Sequence, residues 1–154
     1  MDQQIASAFR HRQRPPMVTN IVVDSTLRDD AHHFEGMDWT QVRADDWIEY
    51  SDAFAGFSPE AFLYYLPSLL ILSLEKSNLP LIAADSLVHS LDTSGDPEIW
   101  PKWFAERFEG LTSTEVRALR DWSSLYLTPG EPDEGSEFAR VQDTLTMLEL
   151  RLDS

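Results

Sequence analysis

The stretch Asp29-Asp30-Ala31-His32-His33-Phe34-Glu35 sets Asp29 and His33 at i,i+4 and Asp29 and His32 at i,i+3. On a helix those spacings share one face, where two or three side chains can ligate a divalent ion. Metal binding, or a metal-dependent hydrolase, using Asp29, His32, His33 and Glu35 is therefore one expectation. The plainer reading is a solvated helix face beside apolar Leu27, Ala31 and Phe34. A second group, Asp45, Asp46, Glu49 and Asp52, again has i,i+3 and i,i+4 spacing and suits either an acid/base pair or an acidic surface. Acid/base work requires that one carboxylate be desolvated, and Trp47 is the only nearby hint of that. No serine sits in a Gly-x-Ser-x-Gly elbow, His11 and His89 have no readable partner, and six glycines form no phosphate-cradling loop. No motif argues for an enzyme, and none calls for a cofactor.

The elements that must hold these groups belong to a 154-residue chain that is 42% hydrophobic and rich in Trp, Phe and Tyr, ample for one packed domain over residues 1–154. Cysteine is absent, which removes disulfides, thiolate metal sites and a Cys nucleophile and is compatible with the cytoplasm. No apolar segment follows Met1, so a secretory signal is not expected. The longest apolar run, 61–74, is too short for a membrane span of about 20 residues.

Acidity is the strongest bulk property, with 27 acidic and 12 basic residues and a formal net charge of -15. Residues 1–16 run the other way, with Arg10, Arg12 and Arg14 against Asp2, and form a basic N-terminal segment that can be mobile. Such a field repels nucleic-acid phosphates and anionic membranes and speeds encounter with basic proteins. The expected partner is a basic protein, not nucleic acid or a membrane. Acidic clusters beside exposed Trp39, Trp47 or Trp100 would form the charged rim and aromatic anchor of an interface. The partner-binding candidates are Asp45, Asp46, Glu49, Asp52, Glu131, Asp133 and Glu134. An acidic helical protein of this kind suits an immunity- or antitoxin-like inhibitor that occludes a basic toxin or nuclease. A structural or regulatory subunit of a larger assembly is a further alternative.

Helical periodicity dominates the rest. Ser58-Pro59-Glu60 reads as N-cap, N1 proline and first-turn acid. The helix it opens is apolar on most sides, as in a buried position, with a kink expected near Leu63 to Leu66 from Pro67. Asn78-Leu79-Pro80 opens another helix, Thr112 and Glu115 have capping-box spacing, and Phe138, Val141, Leu145, Leu148 and Leu152 form an amphipathic stripe. Thr19 to Asp24 is β-branched but has no partner strand and reads as a connector. The fold class is all-α, a bundle of about six helices around a proline-kinked central helix.

The order Arg14-Pro15, then Phe34-Glu35-Gly36 with Trp39, then Phe57-Ser58-Pro59-Glu60-Ala61-Phe62 with Tyr65-Leu66-Pro67 resembles an uncharacterised family of small bacterial helical proteins, a domain of unknown function. That family carries a similar F-L-S/T-P-E-A-F-x-Y-Y-L-P core, and the resemblance spans residues 14 to 127. It implies an intracellular bacterial α-helical domain and supplies no catalytic residues. One question stays open within the motif. If the hydroxyls of Tyr64 and Tyr65 converge beside Pro67, they line a ligand cavity; otherwise the cluster is core.

Overall fold

The computed structural model describes residues 1–75, 77, 80–127 and 136–153. Among them every regular element is helical: α1 (Asp2–Phe9), α2 (Thr26–His33), α3 (Ala44–Glu49), α4 (Ala53–Gly56), α5 (Pro59–Ser73), α6 (Ile82–Leu91), α7 (Lys102–Phe108), α8 (Ser113–Tyr126) and α9 (Glu137–Asp153). Two 3-10 turns, Trp39–Gln41 and Pro97–Ile99, complete the set. Several of these are one- or two-turn pieces, such as α4 with four residues and α3 with six, and they raise the number of α-helices among the described residues to nine. Asn78 and Leu79 lie outside the described residues, as does the 128–135 segment. No helix among the described residues is long and apolar enough to cross a membrane. The chain divides into two compact units, residues 9–84 and residues 1–8 with 85–154.

In the 9–84 unit, α5 starts as its sequence dictates. Ser58 Oγ accepts the Ala61 N–H at 3.2 Å, Pro59 occupies the first turn where its missing donor costs nothing, and Glu60 faces the positive helix end. The helix continues through Pro67 to Ser73 even though proline withholds an N–H from the Leu63 carbonyl, a cost of about 3 kcal/mol in a helix interior. Every residue from Ala61 to Leu70 is buried. At about 1.5–3 kcal/mol for each large apolar side chain taken from water, burial outweighs that cost. Ser68 escapes the penalty of a buried hydroxyl by donating to the Tyr65 carbonyl at 2.6 Å.

Around α5 lies an aromatic cluster. Tyr65 stacks on Phe57 with ring centroids 5.2 Å apart and meets Phe34 edge-on at 5.5 Å, while Phe34 also packs against Trp47 at 4.9 Å. α4 packs on α2 so closely that a Cβ on Gly56 would overlap the Leu27 carbonyl. The Gly56 carbonyl in turn accepts the Thr19 hydroxyl at 2.6 Å, and the Ser58 N–H donates to Val18 at 2.8 Å. Those two bonds pin the Thr19 to Asp24 connector at one end. Beyond them it runs outward, leaving Val22 and Val23 exposed.

The second unit is built on the α8–α9 pair. Thr112 Oγ1 accepts the Glu115 N–H while Glu115 Oε1 accepts the Thr112 N–H at 2.7 Å, the reciprocal cap that their spacing predicts. Val116, Leu119 and Trp122 on α8 and Val141, Leu145 and Leu148 on α9 are fully buried. The basic N-terminal segment begins with α1, whose Ile5 is fully buried and whose Gln4 donates to Asp121 at 2.6 Å. Trp100, Phe104 and Phe108 form a second aromatic row, and the Arg151 guanidinium lies 5.7 Å from the Trp100 ring.

Candidate functional site

The residues that carry the family resemblance meet around the turn that follows α2. Arg14 donates to the Gly36 carbonyl at 2.7 Å, where Gly36 adopts φ 82, a left-handed conformation that favours glycine. The Tyr65 hydroxyl, fully buried, shares its hydrogen between the Phe34 carbonyl at 2.6 Å and the Met37 carbonyl at 2.8 Å. Tyr64 Oη accepts the Trp39 N–H at 3.4 Å. Burial pushes the pKa of both phenols up, that of Tyr65 strongly and with a further contribution from Tyr64. Bonds from the Thr40 hydroxyl and N–H hold Asp38, the cap of the Trp39–Gln41 turn, below the usual carboxylate range. Both tyrosine hydroxyls are engaged by backbone of the turn, so they act as clamps for it. The dense aromatic stretch is core.

The clamped turn leads into α3, where two candidate clusters join. Arg43, extended ahead of the helix, donates its N–H to Asp46 Oδ2 at 2.8 Å, and the first-turn carboxylates of Asp45 and Asp46 suit the positive helix end. The other oxygen of Asp46 lies 2.8 Å from His33 Nε2. An ionised carboxylate only accepts, so His33 must carry its proton on Nε2 and donate it. The His33 ring stacks on Tyr50 with centroids 3.6 Å apart, which orients it further.

This arrangement divides the Asp29–Glu35 group. His33 turns to α3, Asp30 accepts the Asp52 N–H at 3.1 Å, and His32 Nδ1 faces Glu35 Oε2 at a long 3.6 Å. Asp29 is exposed. Among the described residues no three His, Asp or Glu side chains are grouped to hold a metal ion.

The second cluster divides as well. Asp46 is an internal strut, whereas Asp45, Glu49 and Asp52 are exposed. Glu131, Asp133 and Glu134 lie outside the described residues. Two of the tryptophans expected as exposed anchors are core: Trp47 is 1% exposed and Trp100 is 9% exposed. The outward apolar residue is instead Ile48, 42% exposed on α3. It follows Trp47 by one residue, about 100° around the helix, and with Trp47 turned into the aromatic cluster Ile48 turns out. On the helix surface Asp45 lies three residues before it and Glu49 one residue after it, while Asp52 lies beyond the end of α3, just ahead of α4. The one signal in the sequence is the consecutive Trp47-Ile48 pair, which on a helix cannot both face inward.

These features sit on a chain that belongs to the Family of unknown function (DUF6714), whose model matches residues 2–122. The α3 face and the clamped turn fall inside the matched span, while α9 lies outside it. No curated protein and no solved structure matches the chain.

Proposed function

We propose that the chain acts by binding a basic protein through the exposed face of α3, with Ile48 as apolar anchor and Asp45, Glu49 and Asp52 as acidic rim. The observation that carries this reading is a large apolar side chain left in water, with exposed carboxylates three residues before and one residue after it, on a helix backed by buried Trp47 and the His33–Asp46 pair. An apolar centre with a charged rim is the anatomy of a protein interface, and the net charge of -15 favours a cationic partner by long-range attraction. Within that class we favour an immunity- or antitoxin-like inhibitor that occludes the active site of a basic toxin or nuclease. A cytoplasmic location belongs to the same reading and is supported by the cysteine-free composition. So does a bend of α5 at Pro67; residual dipolar couplings that find the two halves of α5 collinear would reject the bend.

The test begins with capture of partners from the native host, followed by association kinetics with the partner found. Lysine at positions 45, 49 and 52 together is expected to slow association about tenfold at low salt and to flatten its salt dependence. Ile48→Ala is expected to act mainly on dissociation. Unchanged kinetics in both variants removes α3 from the interface. Co-expression then decides the inhibitor reading: a partner that is toxic alone and harmless with this chain supports it, and absence of rescue rejects it.

A further inference from the structure

Between the connector that precedes α2 and α2 itself, the surface opens into a cleft of about 430 Å³. The connector supplies Met17 and Val22, 64% and 87% exposed, with Ile21 half-buried and Thr19 buried. The helix supplies Arg28 and His32, one turn apart. Among the described residues no Asp or Glu lines this cleft, in a chain that has 27 of them. Its polar side chains are rich in open donors. Arg28 is held through Nη1 alone, which donates to Asp24 Oδ1 at 2.7 Å and to the Val22 carbonyl at 3.3 Å. Its Nε and Nη2, the side-on edge of the guanidinium, have no partner among the described residues, and neither do the Asn20 amide and His32 Nε2. The Thr19 hydroxyl is already engaged, donating to the Gly56 carbonyl and accepting the Ile21 N–H.

Net charge does not choose the occupant, because Asp24 balances Arg28 one for one. Hydrogen-bond geometry does. Two parallel N–H groups fixed in one plane match the two oxygens of a carboxylate, a group that only accepts, and bonds paired in this way are strong. Asp24, with its side chain 98% exposed, stays in water and takes only Nη1. That bond and the one to Val22 hold the fork in place ahead of binding, which lowers the entropy that a ligand must overcome. We infer that this cleft binds a small carboxylate carrying a branched or aromatic apolar body. Arg28 Nε and Nη2 hold the carboxylate, the Asn20 amide or the His32 imidazole adds a third N–H, and the body covers Met17, Ile21 and Val22. Apolar side chains left in water around a cleft are what such a body would cover, and the volume lies within the roughly 300–1,000 Å³ of small-molecule sites. The net charge of -15 opposes any anion at long range, so affinity rests on these short-range contacts. The inference is independent of the reading of α3 and requires no protein partner.

The experiment uses the full chain labelled for NMR and three probes: 4-methylpentanoate, its isostere 4-methylpentanamide, and acetate, which has the carboxylate without the body. 4-Methylpentanoate is expected to shift the Arg28 Nε–H signal and the backbone amides of 17–22 saturably. The other two are each expected to bind about fivefold more weakly, the amide for want of paired charge-assisted bonds and acetate for want of buried methylenes. Arg28→Lys keeps the charge and loses the parallel N–H pair, and is expected to bring 4-methylpentanoate down to the level of the amide, with signals away from the cleft in place. Equal binding of acid and amide, binding unaltered by Arg28→Lys, or shifts that do not saturate overturn the inference. Acetate binding as tightly as 4-methylpentanoate overturns the role given to Met17, Ile21 and Val22.

Discussion

At the α8–α9 seam Glu149 gives one oxygen to Arg117 at 2.8 Å and the other to Arg120 at 2.6 Å, with Arg140–Asp92 at 2.6 Å and Arg151–Glu109 at 2.8 Å alongside. On α3, Asp45 and Glu49 are exposed on either side of Ile48, and only Asp46 is turned inward, to His33. The first region uses its carboxylates to join helices. The second is joined by aromatic packing and by hydroxyls donated to carbonyls, and among the described residues Asp45 and Glu49 make no ion pair that joins helices. Acidic residues so similar in sequence therefore divide by what stands behind them, and the set that joins no helices is the set available to a partner.

The sharpest way to break the comparison is to attack the packing that frees α3. Gly56→Ala forces a Cβ into the Leu27 backbone, which cannot yield as a flexible side chain would. The expected loss is about 3 kcal/mol of unfolding free energy by chemical denaturation, the high end for overpacking. Gly95→Ala in the other unit meets only the Asp143 Cβ at 3.9 Å and is expected to change stability by less than about 0.5 kcal/mol. Similar losses at the two glycines would contradict the described approach of α4 to α2.

A smaller effect comes from Tyr65→Phe. It preserves the ring and removes the hydrogen shared by the Phe34 and Met37 carbonyls, with an expected cost of about 1–2 kcal/mol from acceptors left unmet. Because the lost bonds are neutral, the difference from the parent chain should be insensitive to salt. A cost that vanishes at high salt would show that the turn is held by charge.

The smallest effect, and the one that salt and acid should change, is at the seam. Hydrogen bonds and charge from Arg117, with the charge of Arg120, hold Glu149 below its ordinary value of 4.5. A carboxyl lowered on folding stabilises the folded chain above its unfolded value, and the contribution disappears as pH falls through the lowered folded value. The advantage of the parent over Glu149→Gln should therefore be full above about pH 4.5, decline below it, and shrink in high salt. Denaturation midpoints across that range read it directly. An advantage independent of pH would mean that packing of the side chain, not its charge, holds the seam.

Much of the local structure was legible in the residues because its causes lie within one turn of chain. Ser58-Pro59-Glu60 opens α5 where capping chemistry places the start, and Thr112 with Glu115 caps α8, since each bond reaches only three residues away. The stripe of Val141, Leu145 and Leu148 marks the buried face of α9 over enough turns for periodicity to be unambiguous. The candidate site was legible only as a set of acids and histidines. With six residues, α3 is too short for its pattern to say whether Trp47 or Ile48 faces inward.

What the sequence by itself determined, then, is the helical character of the chain, its caps, its charge and its supply of core side chains, all of which follow from residue type and short spacing. Only the tertiary structure decided that His33 meets Asp46 thirteen residues away, that Tyr65 clamps the carbonyls of Phe34 and Met37, and that Leu72 and Glu75 stand across a cleft from Asp45. Those pairings depend on how helices are oriented against one another, and orientation is set by the joint packing of large side chains such as Phe34, Trp47 and Phe57, which no local pattern encodes.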